Sequence, residues 1–190
     1  DQSVGVLRGI DRVCKQAGVA PEEIQPVMHG TTVATNTVLT GTGARVGLVT
    51  TTGYRQVLQI ARSFVPGGLG GWVIYNKSLP MAPLALTIEA HERVSSQGEV
   101  VTALDEAKLR EDLRALGRKK IEALTVSLIN AFSNDRHEQR IKQIAQQELP
   151  GIPVSLSSEV VPEMQEYERT VTTVANSYVR PRVQKYVHNL

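Results

Sequence analysis

Residues that could hold an anion or move a proton are concentrated where the predicted strands pass into helices. The richest of these junctions reads His29-Gly30-Thr31-Thr32-Val33-Ala34-Thr35-Asn36. Glycine lets the backbone come close to a ligand, and positions four apart, such as Thr32 and Asn36, share one face of a helix. An imidazole can stabilise an oxyanion or transfer a proton near neutral pH. The junction therefore predicts part of a cleft for a substrate or a phosphate.

A second concentration of such residues lies between positions 157 and 176. Ser158 and Glu159 follow the last predicted strand, and the next helix carries Glu168, Arg169 and Asn176. A guanidinium in this place is suited to a carboxylate or a phosphate. The charges of this helix are also typical of a solvated face with intrahelical pairs. Its β-branched residues are poor helix formers, so packing or function must override the local preference.

These two concentrations supply the predicted site. The predicted catalytic residues are His29, Glu159 and Arg169. The predicted substrate- or phosphate-binding residues are Gly30, Thr31, Thr32, Asn36, Ser158, Glu168 and Asn176. The competing interpretation is that the Ser, Thr and Asn residues only cap helices, as they do in any α/β protein, and that His29 is a buried hydrogen-bonding residue.

The remaining histidines and the single cysteine predict no metal site. His91, His137 and His188 lack the spacing of metal ligands, and Glu138 stands at capping-box distance from Asp135. Cys14 by itself cannot form an intrachain disulfide or a zinc site, which favours a reducing, cytoplasmic location.

Composition narrows the class of protein further. The 190 residues are 41% apolar, 21% charged and 4% aromatic, with a formal net charge of +2. This composition excludes a disordered chain. The longest basic run is Arg118-Lys119-Lys120, which argues against a nucleic acid as the main partner. No apolar stretch approaches the roughly 20 residues that a bilayer requires, so no membrane span is predicted.

The elements that would position the site alternate between strand and helix. Short apolar strands are predicted at residues 27–30, 45–50, 123–129 and 154–158. Each leads into a helix, which predicts an α/β fold with a mostly parallel sheet flanked by helices, because parallel neighbours need a crossover. The predicted helices cover residues 3–17, 31–39, 53–62, 105–116, 134–149 and a last segment from 162, which Pro181 should end or kink near Arg180.

Residues 64–86 interrupt this alternation. Glycines and prolines crowd together there and predict a long loop. After the loop, residues 86–94 and 99–102 alternate on either side of Ser95-Ser96-Gln97-Gly98, which predicts one β-hairpin. The chain is thus divided into first α/β units at 1–63, the Gly/Pro-rich loop at 64–86, and a hairpin with further α/β units at 87–190.

Four separated motifs resemble, in their order, the N-terminal region of the hydantoinase A/5-oxoprolinase family. The first is the junction from His29 to Asn36. The second is Gly53-Tyr54-Arg55 with Leu58, Ile60 and Arg62. The third is Glu92-Arg93-Val94 with Gly98-Glu99-Val100 and Leu104-Asp105. The fourth runs from Ser157-Ser158-Glu159-Val160 through Tyr167-Glu168-Arg169-Thr170 to Asn176 and Tyr178. The resemblance covers nearly the whole chain.

The resemblance implies part of an actin-like ATPase architecture and an ATP-dependent hydrolase. Its substrate would be a cyclic amide such as hydantoin, 5-oxoproline or a related lactam. ATP with Mg is the implied cofactor, and a second hydantoinase-type subunit is the implied partner. Some relatives are subunits of ketone carboxylases, so a carboxylase region that docks a partner subunit is an alternative.

One family motif is missing from the sequence. Members begin with an Asp-x-Gly-Gly-Thr-x-Thr-Asp phosphate loop, and these 190 residues contain none. We therefore expect a fragment of a longer enzyme that neither binds ATP tightly nor turns over by itself. The alternative from another class is a non-catalytic α/β interaction module, whose segment 64–86 would dock a partner through Trp72, Ile74 and Tyr75.

Overall fold

The computed structural model describes residues 2–26, 28–62 and 78–189. Trp72, Ile74 and Tyr75, and most of the predicted loop, lie outside the described residues. The chain divides into two compact units. One combines Asp1–Gly43 with Val179–Leu190, and the other is Ala44–Tyr178.

The strands all belong to the larger unit. They are β1 (Val46–Thr51), β2 (Thr87–Ala90), β3 (Arg93–Val94), β4 (Val100–Thr102), β5 (Ala123–Ser127) and β6 (Val154–Leu156). The described helices are α1 (Gln2–Ala17), α2 (Val33–Leu39), α3 (Val57–Ile60), α4 (Glu106–Gly117), α5 (Arg136–Glu148), α6 (Ser157–Val160) and α7 (Glu166–His188). Single turns of 3-10 helix lie at Pro21–Glu23 and Leu84–Leu86.

A four-stranded sheet in the order β2-β1-β5-β6 forms the centre of the larger unit. Every neighbouring pair in it is parallel. β1, β5 and β6 are buried at every position, as expected of parallel strands covered on both faces. The small antiparallel pair of β3 and β4 lies outside this sheet. The mostly parallel sheet flanked by helices, with one β-hairpin, is therefore confirmed.

Helices α4 and α5 bury apolar faces in the main core. Leu109, Leu113 and Leu116 recur at helical spacing on α4, and Ile141 and Ile144 do so on α5. All five are at most 1% exposed and belong to one cluster with side chains of the sheet. Burial of such aliphatic side chains stabilises the fold by about 1.5–3 kcal/mol each.

The part of α7 within this unit contacts the sheet through hydroxyl groups. Thr125 Oγ1 donates to Ser177 Oγ at 2.7 Å, and the hydroxyls of Ser127 and Thr170 lie 2.8 Å apart. Thr173 bonds back to the Arg169 carbonyl at 2.7 Å. These contacts explain why β-branched and hydroxyl residues occupy the middle of a helix. They satisfy buried polar groups that the sheet presents to α7.

The membership of the sheet differs from the sequence prediction. Residues 28–30 form no strand, and Val27 lies outside the described residues, so the predicted strand at 27–30 is wrong for 28–30. The fourth strand of the parallel sheet is β2, which was predicted to belong to the hairpin. The run 86–94 divides, so that β2 pairs with β1 and β3 pairs with β4.

Two helix predictions also need correction. The helix predicted at 53–62 is limited to the single turn α3, because residues 53–56 form turns after β1. Pro181 does not end the last helix, since α7 continues through it to His188. A proline inside a helix removes one hydrogen bond, and here the helix tolerates that loss.

The smaller unit contains α1, the turn at Pro21–Glu23, α2 and the last residues of α7. Cys14 is buried in it. None of the helices described in either unit is long and apolar enough to cross a membrane.

Candidate functional site

The carboxyl ends of β5 and β6 meet around a buried glutamate, Glu138. Its side chain is fully buried and accepts hydrogen bonds from Leu128 N at 2.9 Å and Ser157 Oγ at 2.6 Å. Ser158 donates to it twice, from the backbone N at 2.9 Å and from Oγ at 2.7 Å. Glu138 thus joins the segment after β5 to the segment after β6.

Burial raises the pKa of Glu138 above its ordinary value. The hydrogen bonds from Ser157, Ser158 and Leu128 act in the opposite direction, because they favour the charged form. Burial is the larger effect. The predicted capping box with Asp135 is not formed: Asp135 makes no side-chain cap bond, and the Glu138 carboxylate bonds to the strand ends instead.

Arg169 completes this network from α7. The residue is 1% exposed, and its Nε donates to Ser157 Oγ at 3.1 Å. Nη2 donates to the Leu128 carbonyl at 2.6 Å, and Nη1 donates to the Glu163 carbonyl at 3.0 Å. The N–H donors of its guanidinium thus hold the start of α7 against the strand ends. This favours a positioning role over direct contact with a ligand.

A second buried network lies at the ends of β1 and β2. Glu92 is 3% exposed and accepts hydrogen bonds from the Thr51 hydroxyl and from His137 Nδ1, the latter at 2.7 Å. Thr51 Oγ1 in turn accepts from Ile129 N at 3.1 Å. Three strand ends and α5 are tied together by one carboxylate and one imidazole.

The sequence analysis missed Glu92, His137 and Glu138 as members of the site region. A signal for two of them was present, because His137 and Glu138 share the face of α5 that carries Ile141, Ile144 and Ala145. Charged residues on an apolar helix face must be paired once they are buried. Their partners could not be identified, since Glu92 is 45 residues from His137 in sequence.

The other site residues predicted in this unit have separate surroundings. Ser158 contacts Glu138, as described above. Glu159 pairs with Lys142 Nζ at 2.8 Å on the surface of α5. Glu168 pairs with Arg62, whose hydrogen bond lowers the pKa of that carboxyl. Asn176 donates to Ser155 Oγ at 3.1 Å. The structure brings Ser158 and Arg169 into one network and places Glu159 and Glu168 in surface ion pairs.

A cavity of about 690 Å³ opens beside the ends of β1 and β2, and we call it the Tyr54–Tyr167 cavity. One wall is formed by the turns after β1, and another by the start of α7. Its lining residues are Gly53, Tyr54, Arg55, Gln56, Val57, Ile60, Ala61, Leu84, Glu89, Glu166 and Tyr167. Most of the surface that these residues present is apolar or aromatic.

In the smaller unit, the His29 to Asn36 junction precedes and enters α2. Asn36 Nδ2 donates to Thr32 Oγ1 at 3.2 Å, so the predicted shared face is confirmed for this pair. His29, Gly30, Thr31 and Thr32 are all exposed. His29 Nε2 and the Tyr186 hydroxyl lie 2.5 Å apart. His29 therefore follows an irregular segment instead of a strand, and it is an exposed, not a buried, hydrogen-bonding residue.

A cleft of about 410 Å³ lies next to this junction, and we call it the Asn36–Lys185 cleft. Its lining residues are Val33, Asn36, Thr37, Thr40, Thr42, Arg182, Lys185, Tyr186 and Asn189. Among these residues two are cationic and none carries a carboxylate. Arg182 Nε donates to the Thr42 carbonyl at 3.2 Å, which holds the guanidinium at the rim. Sequence reasoning missed Arg182, Lys185 and Tyr186.

The described residues contain no cluster of His, Cys, Asp or Glu side chains suited to a metal ion. The two openings differ in the residues that line them. The Asn36–Lys185 cleft presents hydroxyls, amides and positive charge, a combination suited to an anion. The Tyr54–Tyr167 cavity presents aromatic and aliphatic walls with a few polar groups, a combination suited to a small organic ligand.

Comparison with known proteins identifies chains that are similar in sequence. The chain is 33% identical over 205 residues to the acetophenone carboxylase gamma subunit of Aromatoleum aromaticum, an alignment that covers 97% of the chain and 27% of that subunit. It is 29% identical over 194 residues to the caprolactamase subunit alpha of Pseudomonas jessenii, covering 100% of the chain and 28% of that subunit. The chain thus spans little more than a quarter of the length of these relatives.

The fold is shared with a solved structure of a caprolactamase. The crystal structure of the ATP-dependent caprolactamase from Pseudomonas jessenii superposes with a TM-score of 0.85 at 29% identity, over 96% of this chain and 27% of that one. Residues 1–149 match the family described as the hydantoinase/oxoprolinase N-terminal region. The chain therefore belongs to the hydantoinase/oxoprolinase family, of which it carries the N-terminal region.

Proposed function

We propose that this chain is part of an ATP-dependent enzyme that hydrolyses a cyclic amide. The observation that carries the proposal is the Asn36–Lys185 cleft, which Arg182 and Lys185 line together with Thr40 and Thr42. Such a surface attracts phosphate groups. The likeness to an ATP-dependent caprolactamase in sequence and fold supports the same class of reaction.

The chemistry explains why such an enzyme would require ATP. The oxygen of an amide is a poor leaving group, and phosphorylation converts it into a good one. Phosphoryl transfer depends chiefly on positioning and on stabilising charge. In this chain Lys185 and Arg182 would stabilise phosphate charge, and Thr31, Thr32 and Asn36 would orient the reacting groups. Mg and a second subunit stay predictions for the longer protein.

His29 is the proposed proton-transfer or oxyanion group. It is exposed, and its Nε2 contacts the hydroxyl of Tyr186, which also lines the Asn36–Lys185 cleft. The tyrosine can fix the orientation of the imidazole while leaving the ring accessible to a ligand. An accessible and oriented imidazole is suited to acid–base catalysis.

Arg169, predicted as catalytic, is better suited to a positioning role, because the strand ends and the start of α7 use its donors. Glu159 and Glu168 stay proposed site residues, although surface cations already neutralise both carboxylates. Ser158 and Asn176 would have an indirect role, because Ser158 bonds to Glu138 and Asn176 bonds to Ser155.

A ketone carboxylase is the second candidate. The specific observation that favours it is the 33% identity with an acetophenone carboxylase gamma subunit across nearly the whole chain. Activation of an enol oxygen by ATP would make the same demands on the Asn36–Lys185 cleft. The two candidates differ in the substrate and in the need for bicarbonate.

The test uses the longer protein that carries this chain, together with its partner subunit. ADP release is measured with hydantoin, 5-oxoproline or ε-caprolactam, and separately with acetophenone and bicarbonate. ATP-dependent opening of a ring supports the first candidate, and bicarbonate-dependent consumption of the ketone supports the second. If neither mixture releases ADP above background, both candidates are wrong.

The Asn36–Lys185 cleft is tested in the same assay. We expect Lys185→Ala, and separately Arg182→Ala, to raise the KM for ATP at least tenfold. Lys15→Ala is the matched control, because Lys15 is an exposed lysine of the same unit that pairs with Asp11. If the KM for ATP is the same in all three variants, the cleft does not contact phosphate.

A further inference from the structure

A third opening, of about 560 Å³, lies beside the start of α5, and we call it the His137 cleft. Val100 and Leu104 contribute apolar surface to it, and Glu106, Arg136 and His137 contribute charged and polar groups. Its volume lies within the range of about 300–1,000 Å³ that is usual for ligand pockets. The cleft therefore has room for a small organic molecule.

His137 reaches this cleft with one ring nitrogen already bonded. The residue is 6% exposed, and its Nδ1 lies 2.7 Å from Glu92 Oε2. Glu92 Oε1 accepts from the hydroxyl of Thr51, whose oxygen in turn accepts from Ile129 N. This network assigns the ring proton to Nδ1, which donates it to the Glu92 carboxylate. In a neutral ring of this tautomer, Nε2 carries the free lone pair.

The second ring nitrogen of His137 is available to a ligand. In the part of the chain that the structure describes, Nε2 has no hydrogen-bond partner, and it is not one of the atoms sealed from solvent without one. Solvent therefore reaches Nε2, and the ring lines the cleft. A buried imidazole that a carboxylate orients through one nitrogen presents the other in a fixed direction.

The charges around Nε2 favour an anion. Arg140 donates to both oxygens of Glu106 at 2.7 Å, and this pairing lowers the pKa of that carboxyl. Arg136 is exposed, and no carboxylate of the described residues forms an ion pair with it. Glu92 faces the His137 ring from behind. A proton on Nε2 would balance that carboxylate and turn Nε2 into a hydrogen-bond donor.

The other acidic residues next to the cleft already have partners. Asp135 accepts from Gln139 Nε2 at 3.0 Å, and Glu159 pairs with Lys142. Helix α5 begins directly after Asp135, which makes no side-chain cap bond there. The positive end of the helix dipole therefore also favours an anion at this position.

We infer that the His137 cleft binds a small organic anion, whose carboxylate or phosphate group is recognised by His137 Nε2 and Arg136. Val100 and Leu104 would contact the apolar part of such a molecule. The site belongs to the larger unit and is separate from the Asn36–Lys185 cleft. The inference goes beyond the proposed function and does not depend on it.

The experiment follows the histidine rings of the isotope-labelled 190-residue chain by nitrogen NMR. The sequence contains four histidines, and the ring signals that His137→Asn removes are those of His137. The probes are butyrate, n-butyl phosphate and butyramide, the last being an uncharged analogue of butyrate. We expect a protonated Nδ1 in the free protein. The Nε2 signal should shift saturably with at least one anion, which should bind at least tenfold more tightly than butyramide.

Two variants test the recognition of the anion by isothermal titration calorimetry. Arg136→Ala should weaken binding at least fivefold. Arg118→Ala is the matched control, because it removes the same charge from an exposed arginine of the same unit that does not line the cleft. His137→Asn retains an N–H that can donate to Glu92 and lacks Nε2. It should bind the anion at least tenfold more weakly than the unmodified chain.

The outcomes decide the inference and the class of anion. A response to butyrate alone supports a carboxylate ligand, and a response to n-butyl phosphate alone supports a phosphate ester. An Nε2 signal that neither anion shifts, equal binding of butyramide, or equal affinities in Arg136→Ala and Arg118→Ala would each overturn the inference. A shift confined to His29 would also overturn it, because that ring belongs to the smaller unit.

Discussion

Ser158 donates two hydrogen bonds to the carboxylate of Glu138, from its backbone N at 2.9 Å and from its hydroxyl at 2.7 Å. The two residues are 20 positions apart, on α6 and α5. Because Glu138 also accepts from Leu128 N, this contact fixes the ends of β5 and β6 together. The site region is thus organised around a buried carboxyl group.

Removal of the Glu138 carboxylate should destabilise the fold. Glu138→Ala leaves Leu128 N and the two serines without their acceptor. We expect a loss of about 3 kcal/mol or more in the free energy of unfolding, measured by urea titration, because each buried donor left unsatisfied costs about 1–3 kcal/mol. Glu159→Ala, which breaks a surface ion pair, should cost less than about 1 kcal/mol. Similar losses in both variants would contradict the structural role of Glu138.

Stability should also depend on pH through the same residue. Burial raises the pKa of Glu138 in the folded state, so the folded protein binds its proton more tightly than the unfolded chain does. The contribution of Glu138 is therefore complete below the ordinary carboxyl pKa and declines as pH rises through the raised pKa. Glu138→Gln cannot titrate, so the difference in unfolding free energy between it and the unmodified chain should change in that window. A difference that is constant with pH would contradict the raised pKa.

The hydrogen bond between Glu92 and His137 should also stabilise the fold. His137→Ala leaves the buried Glu92 with the Thr51 hydroxyl as the one remaining partner that the described contacts give it. We expect a loss of about 1–3 kcal/mol, the usual cost of an unsatisfied buried polar group. His91→Ala is the control, because His91 is exposed. The measurement is chemical denaturation of both variants. Equal denaturation midpoints would show that the hydrogen bond between Glu92 and His137 does not stabilise the fold.

His29 should affect activity more than stability. It is exposed and bonded to Tyr186, so His29→Ala should lower the free energy of unfolding by no more than about 1.5 kcal/mol. In the longer enzyme, kcat should fall by about 10²–10⁴, the usual contribution of a general acid or base. Tyr186→Phe, which keeps the ring, should reproduce part of that loss. If kcat is retained while the melting temperature falls, His29 is a structural residue.

Local patterns were sufficient for some features of this protein. The leucines of α4 and the isoleucines of α5 recur at helical spacing, and the structure places both sets in the core. The spacing of Thr32 and Asn36 predicted a shared face, and their side chains are 3.2 Å apart. These predictions need only contacts within a few residues of each other.

Other features depended on distant partners. Residues 27–30 were predicted as a short strand, yet residues 28–30 form none, and β1 pairs with β2. A strand exists only where a neighbour satisfies its backbone groups, and the neighbour is chosen by the whole fold. Likewise, Glu138 had the spacing of a cap residue, and its use as an acceptor depends on Ser157 and Ser158 in a separate helix.

The amino-acid sequence by itself determined the parallel α/β class, the family motifs and the polar residues near the strand ends. Only the tertiary structure decided which strands pair, which charges are buried, and that Arg182 and Lys185 stand beside Asn36. The physical reason is that helical periodicity is a local property, whereas the desolvation of a charge and its compensation require groups that chain folding brings together.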